Sequence, residues 1–357
     1  FNQDSQNCVD LKGKWVLPSF VDSHTHTVFA KYRSEEFRMI LAGKSYQEIA
    51  QAGGGILNSA GKLSQMTEDQ LLEDALQRIN KIILKGTGAL EIKSGYGLSV
   101  EAEIKMLKVI QSIAQIVPIP IKATFLGAHA IPQTFKNDRN GYLDLICHEM
   151  LPQIADLNLA DYCDVFCETG YFTTEETDRI SKQAGKFGLP MKIHTNQFTS
   201  IGGVQVAIAN QAKSVDHLEI LEDQDIVDLS NSSTIATLLP IAPFFLKDPF
   251  PKGRALIDHN CAVALATDFN PGSAPSHDMA FAISLACNYC GLTPEEALNA
   301  ATLNGAFALD LQNEIGSIET GKIANFQVYT AMENISEIPY RICSELLENV
   351  IINGEFY

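Results

Sequence analysis

Short apolar runs rich in β-branched residues recur along the chain, and most are followed by a longer stretch whose apolar residues have helical spacing. Eight runs predict strands, at 19–25, 88–92, 121–126, 162–166, 190–193, 213–215, 234–239 and 262–266. Four intervening stretches predict helices, at 67–84, 100–116, 174–187 and 223–229. Thr67, Thr174 and Thr293 each offer a capping hydroxyl followed by acids, as at a helix start. The alternation predicts an α/β fold, either a closed (β/α)8 TIM-like barrel or a doubly wound open sheet.

Polar residues at the strand ends favour the barrel. Nearly every predicted strand ends in, or just before, a reactive side chain: His24, His26, Tyr96, His129, Glu168, His194, His217 and Asp268. Barrel enzymes gather their chemistry at the C-terminal ends of several strands. We therefore assign residues 19–314 to the barrel. The turn-punctuated, β-rich ends, 1–18 and 315–357, are predicted to form a small β-sandwich domain together.

Composition narrows the class of ligand. The 357 residues are 46% hydrophobic, as in globular proteins, and their net charge is −17. An acidic chain is a poor candidate for nucleic acid or anionic lipid, because both require clustered Lys and Arg. No apolar run reaches the roughly 20 residues that span a bilayer. We expect a small-molecule substrate, with no nucleic-acid or membrane partner.

The eight cysteines do not suggest a disulfide framework in a chain of this length. Cys287 and Cys290 have the spacing of a redox motif but lie in an apolar helical stretch, so we interpret them as ordinary buried thiols. No secretory leader is visible at the start of the sequence. Together these features predict a cytoplasmic protein.

His24 and His26 are separated by one residue. Alternate side chains on an extended strand point to the same side, so both imidazoles can face the mouth of the barrel and provide half of a metal site. His194, His217 and Asp268 follow later strand runs. Each alone is compatible with a structural role, but together they suit a mononuclear site with a position left for water, holding zinc or iron.

Several segments resemble the imidazolonepropionase family of the amidohydrolase superfamily, over about residues 18 to 330. They are HTHTVF (24–29), RSEEF (33–37), QAGGGI (51–56), EIKSGYGL (91–98), TFLGAH (124–129), DVFCE (164–168), DHLE (216–219) and TDFNPG (267–272). The KSGYG segment separates this family from most other amidohydrolases. The resemblance implies hydrolysis of the cyclic amide C–N bond of 4-imidazolone-5-propanoate to N-formimidoyl-L-glutamate, a step of histidine degradation.

The resemblance also implies residue roles. The implied metal ligands are His24, His26, His194 and Asp268. The implied substrate contacts are Arg33, Tyr96, His129 and Gln197, and the implied contacts to the opened product are Asn270, Gly272 and Ser273. His217 is expected beside the metal without being a ligand. Related enzymes are dimers, so a homodimer is expected.

The metal count and the mechanism follow from the same comparison. Some relatives bridge two metals with a carboxylated Lys on a middle strand, whereas the strand at 162–168 contains no Lys, so we favour one ion. Such an ion lowers the pKa of a bound water toward ~7 and polarises a carbonyl. We hypothesise that His217 and Asp268 move the proton from this water to the leaving ring nitrogen.

Departures from the family leave alternatives open. Some members have Glu where this chain has Gln197, which can hydrogen-bond but cannot act as a base. The segments around Gln197 and Ser273 also depart from the commonest family form, and the role of His277 stays open. The alternatives are another cyclic amide or amidine hydrolase or a deaminase, and a non-catalytic binding barrel. The other two histidines, His148 and His259, lie in helical stretches and are expected to be structural.

Overall fold

The computed structural model describes residues 9–357, so the predicted contribution of residues 1–8 to the small domain, and Cys8, lie outside it. The chain has twelve strands in this region. They are β1 (Trp15–Pro18), β2 (Phe20–Asp22), β3 (Thr87–Lys93), β4 (Ile121–Ala128), β5 (Tyr162–Cys167), β6 (Met191–Thr195), β7 (Ser214–His217), β8 (Ile235–Leu238), β9 (Val263–Leu265), β10 (Phe326–Tyr329), β11 (Leu347–Ile352) and β12 (Glu355–Phe356).

Strands β2 to β9 form one parallel sheet in chain order. Its two edges meet just beyond β2 and β9, where Thr25 forms a parallel bridge with Phe269. There the His26 N–H donates to the Phe269 carbonyl at 2.8 Å, and the Asp268 N–H donates to the His24 carbonyl at 3.1 Å. The predicted barrel is therefore confirmed over the doubly wound sheet. All eight predicted barrel strands are present, although the first is shorter than predicted because the ladder ends at Asp22.

Helices surround the barrel and cover its mouth. They are α1 (Ser34–Leu41), α2 (Tyr46–Gln51), α3 (Gly55–Leu63), α4 (Glu68–Leu84), α5 (Val100–Ile116), α6 (Arg139–Leu145), α7 (Leu151–Asp156), α8 (Thr174–Lys186), α9 (Gly203–Ala209), α10 (Asp223–Ser230), α11 (Ile241–Leu246), α12 (Gly253–Asp258), α13 (Met279–Tyr289), α14 (Pro294–Ala300), α15 (Leu303–Ala308) and α16 (Glu337–Tyr340). A 3-10 turn (Gln133–Phe135) and a π-helical segment (Ile146–Met150) flank α6. No helix in the described region is long and apolar enough to cross a membrane.

The predicted helix starts are correct in two cases of three. Thr67 and Thr293 cap α4 and α14, and the N–H of each also donates to the side chain three residues later, Gln70 or Glu296. The prediction of Thr174 as the cap of α8 is wrong. The Thr173 hydroxyl accepts the Glu176 N–H, because Thr173 is still extended while Thr174 is already helical.

Both ends of the described chain contribute to a second, antiparallel sheet in the order β1-β10-β11-β12. Strand β1 pairs with β10 through Trp15 and Tyr329 at one end and Pro18 and Phe326 at the other. The first strand of the C-terminal segment begins at Phe326, after turns and irregular backbone at 316–325, in keeping with the predicted turn-punctuated, β-rich end. The domain boundaries at 18 and 314 stay predictions.

Apolar side chains fill the layer between the barrel and its helices, including Ile79 and Ile83 of α4 and Ile110 of α5. The seven described cysteines form no disulfide with one another. By contrast, the barrel interior contains fully buried charged side chains on several strands, among them Lys93 of β3, Asp164 of β5, Lys192 of β6 and Asp216 of β7. Such groups are almost never fully buried unless they are paired. They lie directly below the residues described next.

Candidate metal centre and substrate pocket

The histidines and the aspartate predicted as a cluster meet at the C-terminal end of the barrel. His24 and His26 follow β2, His194 lies in β6, His217 ends β7, and Asp268 follows β9. All five are at most 2% exposed. His217 and Asp268 both have a positive φ, which turns the chain sharply as it leaves the barrel.

The facing atoms of these residues have the spacing of metal ligands. Nε2 of His24 and Nε2 of His26 each lie 3.5 Å from Oδ1 of Asp268. Nε2 of His26 is 3.4 Å from Nε2 of His194. Ligands bound to one ion in a tetrahedral arrangement are separated by roughly 3.3–3.6 Å, given metal–ligand distances near 2.1 Å. Nε2 of His24 is buried without a hydrogen-bond partner among the described residues, as expected of an atom reserved for an ion.

Two carboxylates hold the far side of this cluster. Oδ2 of Asp216 lies 2.6 Å from Nδ1 of His24, and Oδ2 of Asp164 lies 3.0 Å from Nδ1 of His194. The Asp216 carboxylate bonded to Nδ1 of His24 fixes the proton there and leaves the lone pair on Nε2, which is the arrangement found behind metal-bound histidines. Asp164 faces Nδ1 of His194 at contact distance, without a hydrogen bond between the two atoms. The residues therefore fit a divalent ion. Two overlapping sets, His24/His26/Asp268 and His24/His194/His217, have ligand atoms within 4.8 Å of one another.

Burial lowers the pKa of His24, His26 and His194 well below the usual value of histidine. Neutral imidazoles are the ligand form. Burial also raises the pKa of Asp268 to about 7.

His217 differs because burial alone lowers its pKa, but the carboxylates of Glu219, Asp268 and Asp216 together outweigh this effect and raise the pKa to about 9. Nδ1 of His217 is 3.2 Å from Oε1 of Glu219. The pair shows that His217 is oriented from the side opposite the cluster, through a residue that we did not predict.

Lys93 lies beneath the cluster. Its Nζ is 2.8 Å from Oε1 of Glu91, 2.8 Å from Oδ2 of Asp164 and 3.8 Å from Oδ2 of Asp216. Burial alone lowers the pKa of Lys93, but the carboxylates of Asp164, Glu91 and Asp216 outweigh it and the pKa is raised. The ammonium is thus held charged in the barrel interior.

Arg33 lies on the pocket side, at the start of α1, and is 5% exposed. Its guanidinium packs against Gly272, where an added Cβ would collide with it. Nη1 is buried without a hydrogen-bond partner among the described residues, and Nε is 3.3 Å from Oε2 of Glu36. A buried guanidinium with a donor left free is suited to an anionic ligand. Its ion pair with Glu36 is buried, since Glu36 is 7% exposed.

Tyr96 and His129 form one wall of the pocket. The His129 ring stacks on His26 with centroids 5.3 Å apart, and the Tyr96 ring lies 5.5 Å from the His129 ring. Nδ1 of His129 is 3.0 Å from the Gly95 carbonyl, which leaves Nε2 for other partners. Burial lowers the pKa of His129 to about 4 and raises that of Tyr96, so both rings are neutral at neutral pH.

The turn after β9 contributes three of the predicted residues. Oδ1 of Asn270 accepts the N–H groups of Gly272 and Ser273, both at 2.8 Å. The Ser273 hydroxyl lies 3.4 Å from Oδ2 of Asp268, and Gly272 in the same turn contacts Arg33. This turn therefore connects the His and Asp cluster to Arg33. The hydrogen bonds to Asn270 fix the backbone of Gly272 and Ser273 relative to the cluster and to Arg33.

Two of the predicted or open residues lie farther out. Gln197 lines a cavity of about 320 Å³ together with Tyr46. His277 packs edge-to-face on Phe269, with ring centroids 5.3 Å apart, and so supports the pocket turn from behind. His148 is exposed near Asp144, and His259 bonds to the carbonyl one turn before it, as expected of structural residues.

The comparison with protein families identifies this arrangement. A family profile described as "Amidohydrolase family" matches residues 15–356. The chain belongs to the amidohydrolase family. Amidohydrolases are metal-dependent, and the His and Asp groups above are able to bind a metal.

Amidohydrolases with high sequence identity to this chain share one name. "Imidazolonepropionase" of Christiangramia forsetii is 48% identical over 97% of this chain and 84% of its own length. "Imidazolonepropionase" of Flavobacterium johnsoniae is 49% identical over 98% of this chain and 85% of its own length. Within the amidohydrolases, the chain therefore belongs with the imidazolonepropionases.

A solved amidohydrolase supports the fold. The crystal structure of 5-methylcytosine deaminase from Klebsiella pneumoniae with 5-fluorocytosine has a TM-score of 0.78 at 15% identity, covering 100% of this chain and 89% of the other. At this identity the similarity shows the shared architecture alone.

Sequence reasoning did not assign roles to Asp164, Asp216, Glu219 or Lys93, although these residues support the cluster. A weak signal was present, because Asp216 directly precedes His217 and Lys93 ends a strand that is otherwise buried. Hydrophobic patterning treats a charged residue in a strand as exposed. Only the closure of the barrel shows that these side chains point into its interior.

Proposed function

We propose that this chain hydrolyses the cyclic amide C–N bond of 4-imidazolone-5-propanoate and releases N-formimidoyl-L-glutamate. The relatives named imidazolonepropionase support the reaction. The observation that carries it is Arg33, whose buried, partly unpaired guanidinium packs against Gly272, in the turn whose Ser273 hydroxyl lies 3.4 Å from Oδ2 of Asp268. A substrate with a ring amide and a propionate tail matches this arrangement, with the amide at the imidazole cluster and the carboxylate at Arg33.

We propose His24, His26, His194 and Asp268 as the ligands of one divalent ion, zinc or iron. When bound, such an ion activates a water molecule and polarises the carbonyl of the amide. The spacing of the facing atoms and the unpaired Nε2 of His24 support this ligand set. His217 would lie beside the ion as a positioned proton donor rather than as a fifth ligand.

On the pocket side, the chain binds and orients the substrate. Arg33 grips the propionate carboxylate, since a guanidinium offers paired donors to it. Tyr96, His129 and Gln197 contact the ring. Asn270, Gly272 and Ser273 hold the opened product through the turn that contains them.

Proton movement is assigned to Asp268 and His217, the two groups beside the ligand atoms that can accept or donate a proton. Asp268 accepts a proton from the attacking water through a carboxylate oxygen. His217, held by Glu219, donates to the ring nitrogen as the C–N bond breaks. The two groups face the cluster from the ends of β7 and β9, which are separated by β8 in the sheet.

The oligomeric state and the cellular location are also proposals. We infer a homodimer, to be measured by light scattering of the purified chain. The free thiols suit a reducing compartment, and we infer a cytoplasmic enzyme.

The test is an assay of ring opening with purified protein. We expect consumption of 4-imidazolone-5-propanoate that stops after treatment with a strong chelator and returns on addition of zinc or ferrous iron. A nucleobase amine offered as an alternative substrate should not be deaminated. Turnover that is indifferent to the chelator would contradict the metal site, and activity on the nucleobase alone would favour a deaminase.

A further inference from the structure

A cluster of charged side chains fills the barrel below the proposed metal ligands. Its five members are Glu91, Lys93, Asp164, Lys192 and Asp216, and we call it the interior charge cluster. Each is 0% exposed. Burying charges costs free energy unless each is paired, so a cluster of this kind needs a reason to be present.

Lys93 is at the centre of this cluster, and besides its hydrogen bond to Glu91 its ammonium contacts two oxygen atoms that also face the proposed ligands. These are Oδ2 of Asp164 at 2.8 Å and Oδ2 of Asp216 at 3.8 Å. The same two atoms face the ring nitrogens of His194, at 3.0 Å, and of His24, at 2.6 Å. One ammonium therefore contacts both carboxylate oxygens that face the proposed ligand rings from behind.

The Oδ1 atoms of Asp164 and Asp216 show how far the orientation of each carboxylate depends on Lys93. Oδ1 of Asp164 is fixed by the backbone N–H groups of Val165 and His194. Oδ1 of Asp216 has no hydrogen-bond partner among the described residues. The orientation of Asp216 thus depends on Oδ2 alone, between Lys93 and His24.

We propose that Lys93 is a positioning residue, which clamps Asp164 and Asp216 so that His194 and His24 present Nε2 to the metal. The inference rests on the proposed function, since it takes both histidines as ligands. It assigns to Lys93 no contact with substrate or ion.

Lys192 provides a matched control within the same cluster. It carries the same charge and is equally buried, but its Nζ bonds to the Ser23 carbonyl at 2.8 Å and lies 3.3 Å from Oε2 of Glu91. Neither partner touches a proposed ligand ring. Lys93→Met and Lys192→Met therefore remove the same charge from the same interior, but only the first removes the clamp.

The direction of the change in metal affinity distinguishes a positioning role of Lys93 from a purely electrostatic effect of its charge. Removing a buried positive charge near the site should by Coulomb's law strengthen the binding of a cation. Loss of a clamp should weaken it, because supporting contacts of this kind typically contribute roughly 10- to 100-fold to metal affinity. The two explanations predict opposite changes.

The experiment measures the affinity of Zn²⁺ for the full chain, stripped of metal, by competition with a chromophoric chelator. We expect Lys93→Met to bind Zn²⁺ roughly 10- to 100-fold more weakly than the unmodified chain, and Lys192→Met to stay within about threefold. Thermal unfolding of the metal-free variants checks that both fold. Equal or tighter binding by Lys93→Met, or an equal loss in Lys192→Met, would overturn the inference.

A second variant keeps the test decisive if Lys93→Met does not fold. Asp216→Asn is nearly isosteric and removes one arm of the clamp, so it should weaken Zn²⁺ binding by roughly tenfold or more. Unchanged affinity in this variant would overturn the inference. An unmodified chain that binds no Zn²⁺ would overturn the proposed metal site as well, so the two failures are distinguishable.

Discussion

Arg33 shows how a single residue acquires a role from its surroundings. The guanidinium is buried against the backbone of Gly272 and keeps a donor free. Glu36 faces only the Nε side of Arg33 through its Oε2, since its Oε1 accepts the Gly55 N–H at 3.1 Å and the Asn58 amide at 2.9 Å. Nη1 of Arg33 is therefore available to a ligand carboxylate.

Replacing Arg33 by Met should impair substrate binding and leave the metal centre intact. Hydrogen bonds to charged groups contribute about 1.5–3 kcal/mol, so kcat/KM should fall roughly 10- to 100-fold. Steady-state kinetics and metal analysis would measure this change. Arg38→Met, on an exposed position of the same helix, should leave both unchanged. Normal kinetics in Arg33→Met would contradict the binding role.

Gly272 makes the same prediction testable from the other side of the contact. A Cβ at Gly272 would overlap the Arg33 guanidinium, so Gly272→Ala should displace Arg33 and reproduce its kinetic defect. The backbone of Gly272 is not in the left-handed region, so the effect should arise from this contact. Gly185→Ala is the control, since a Cβ there meets no atom within 4 Å, and it should stabilise α8 by up to about 1 kcal/mol. A Gly272→Ala variant with full activity would refute the close contact.

At the scale of elements, the loop between β3 and α5 is held by one side chain of the helix that follows. Glu103 accepts the N–H groups of Gly95 at 3.0 Å and of Gly97 and Leu98 at 2.8 Å. This loop carries Tyr96. The first turn of α5 therefore fixes the pocket wall, although in the sequence Glu103 resembles an ordinary acid at a helix start.

Glu103→Gln should loosen that loop, because an amide has one acceptor oxygen where the carboxylate uses two. We expect a loss of about 1–3 kcal/mol in the free energy of unfolding, measured with urea, and faster proteolysis within 94–99. Glu101→Gln, exposed in the same turn, should change neither. Equal protease resistance of the two variants would show that Glu103 does not anchor the loop.

The positions of elements were largely predictable and their ends were not. Hydrophobic periodicity found all eight barrel strands, because buried parallel strands form continuous apolar runs. It predicted the end of β2 too late, at residue 25, because the ladder ends at Asp22 and only an isolated bridge at Thr25 follows. The misplaced cap of α8 has a similar origin, since two adjacent threonines offer the same hydroxyl and only the backbone dihedral of Thr173 decides between them.

At the scale of the whole molecule, the proposed ligands lie on both sides of the barrel seam. His24 and His26 follow the first strand and Asp268 follows the last, where the sheet closes through the single bridge of Thr25 and Phe269. An ion bound by these residues would add a cross-link at that seam. Metal binding should therefore stabilise the closed barrel.

Removing the metal should destabilise the protein, and Zn²⁺ at 100 times its dissociation constant should add about 2.7 kcal/mol to the free energy of unfolding. Thermal melts and amide exchange around β2 and β9 would measure this effect. His194→Ala should abolish the Zn²⁺-dependent gain, whereas His148→Ala, at an exposed position, should retain it. A melt insensitive to Zn²⁺ would contradict the cross-link.

The sequence by itself determined the eight strand–helix units, the histidines at the strand ends and the family. These depend on local periodicity and on contiguous motifs, which a chain displays before it folds. Only the tertiary structure decided that Arg33 is buried against Gly272, that Asp164 and Asp216 support His194 and His24, and that Lys93 joins them. The physical reason is that a period of two assigns a side chain to one face of a strand, while barrel closure and register set which side chains from distant strands meet.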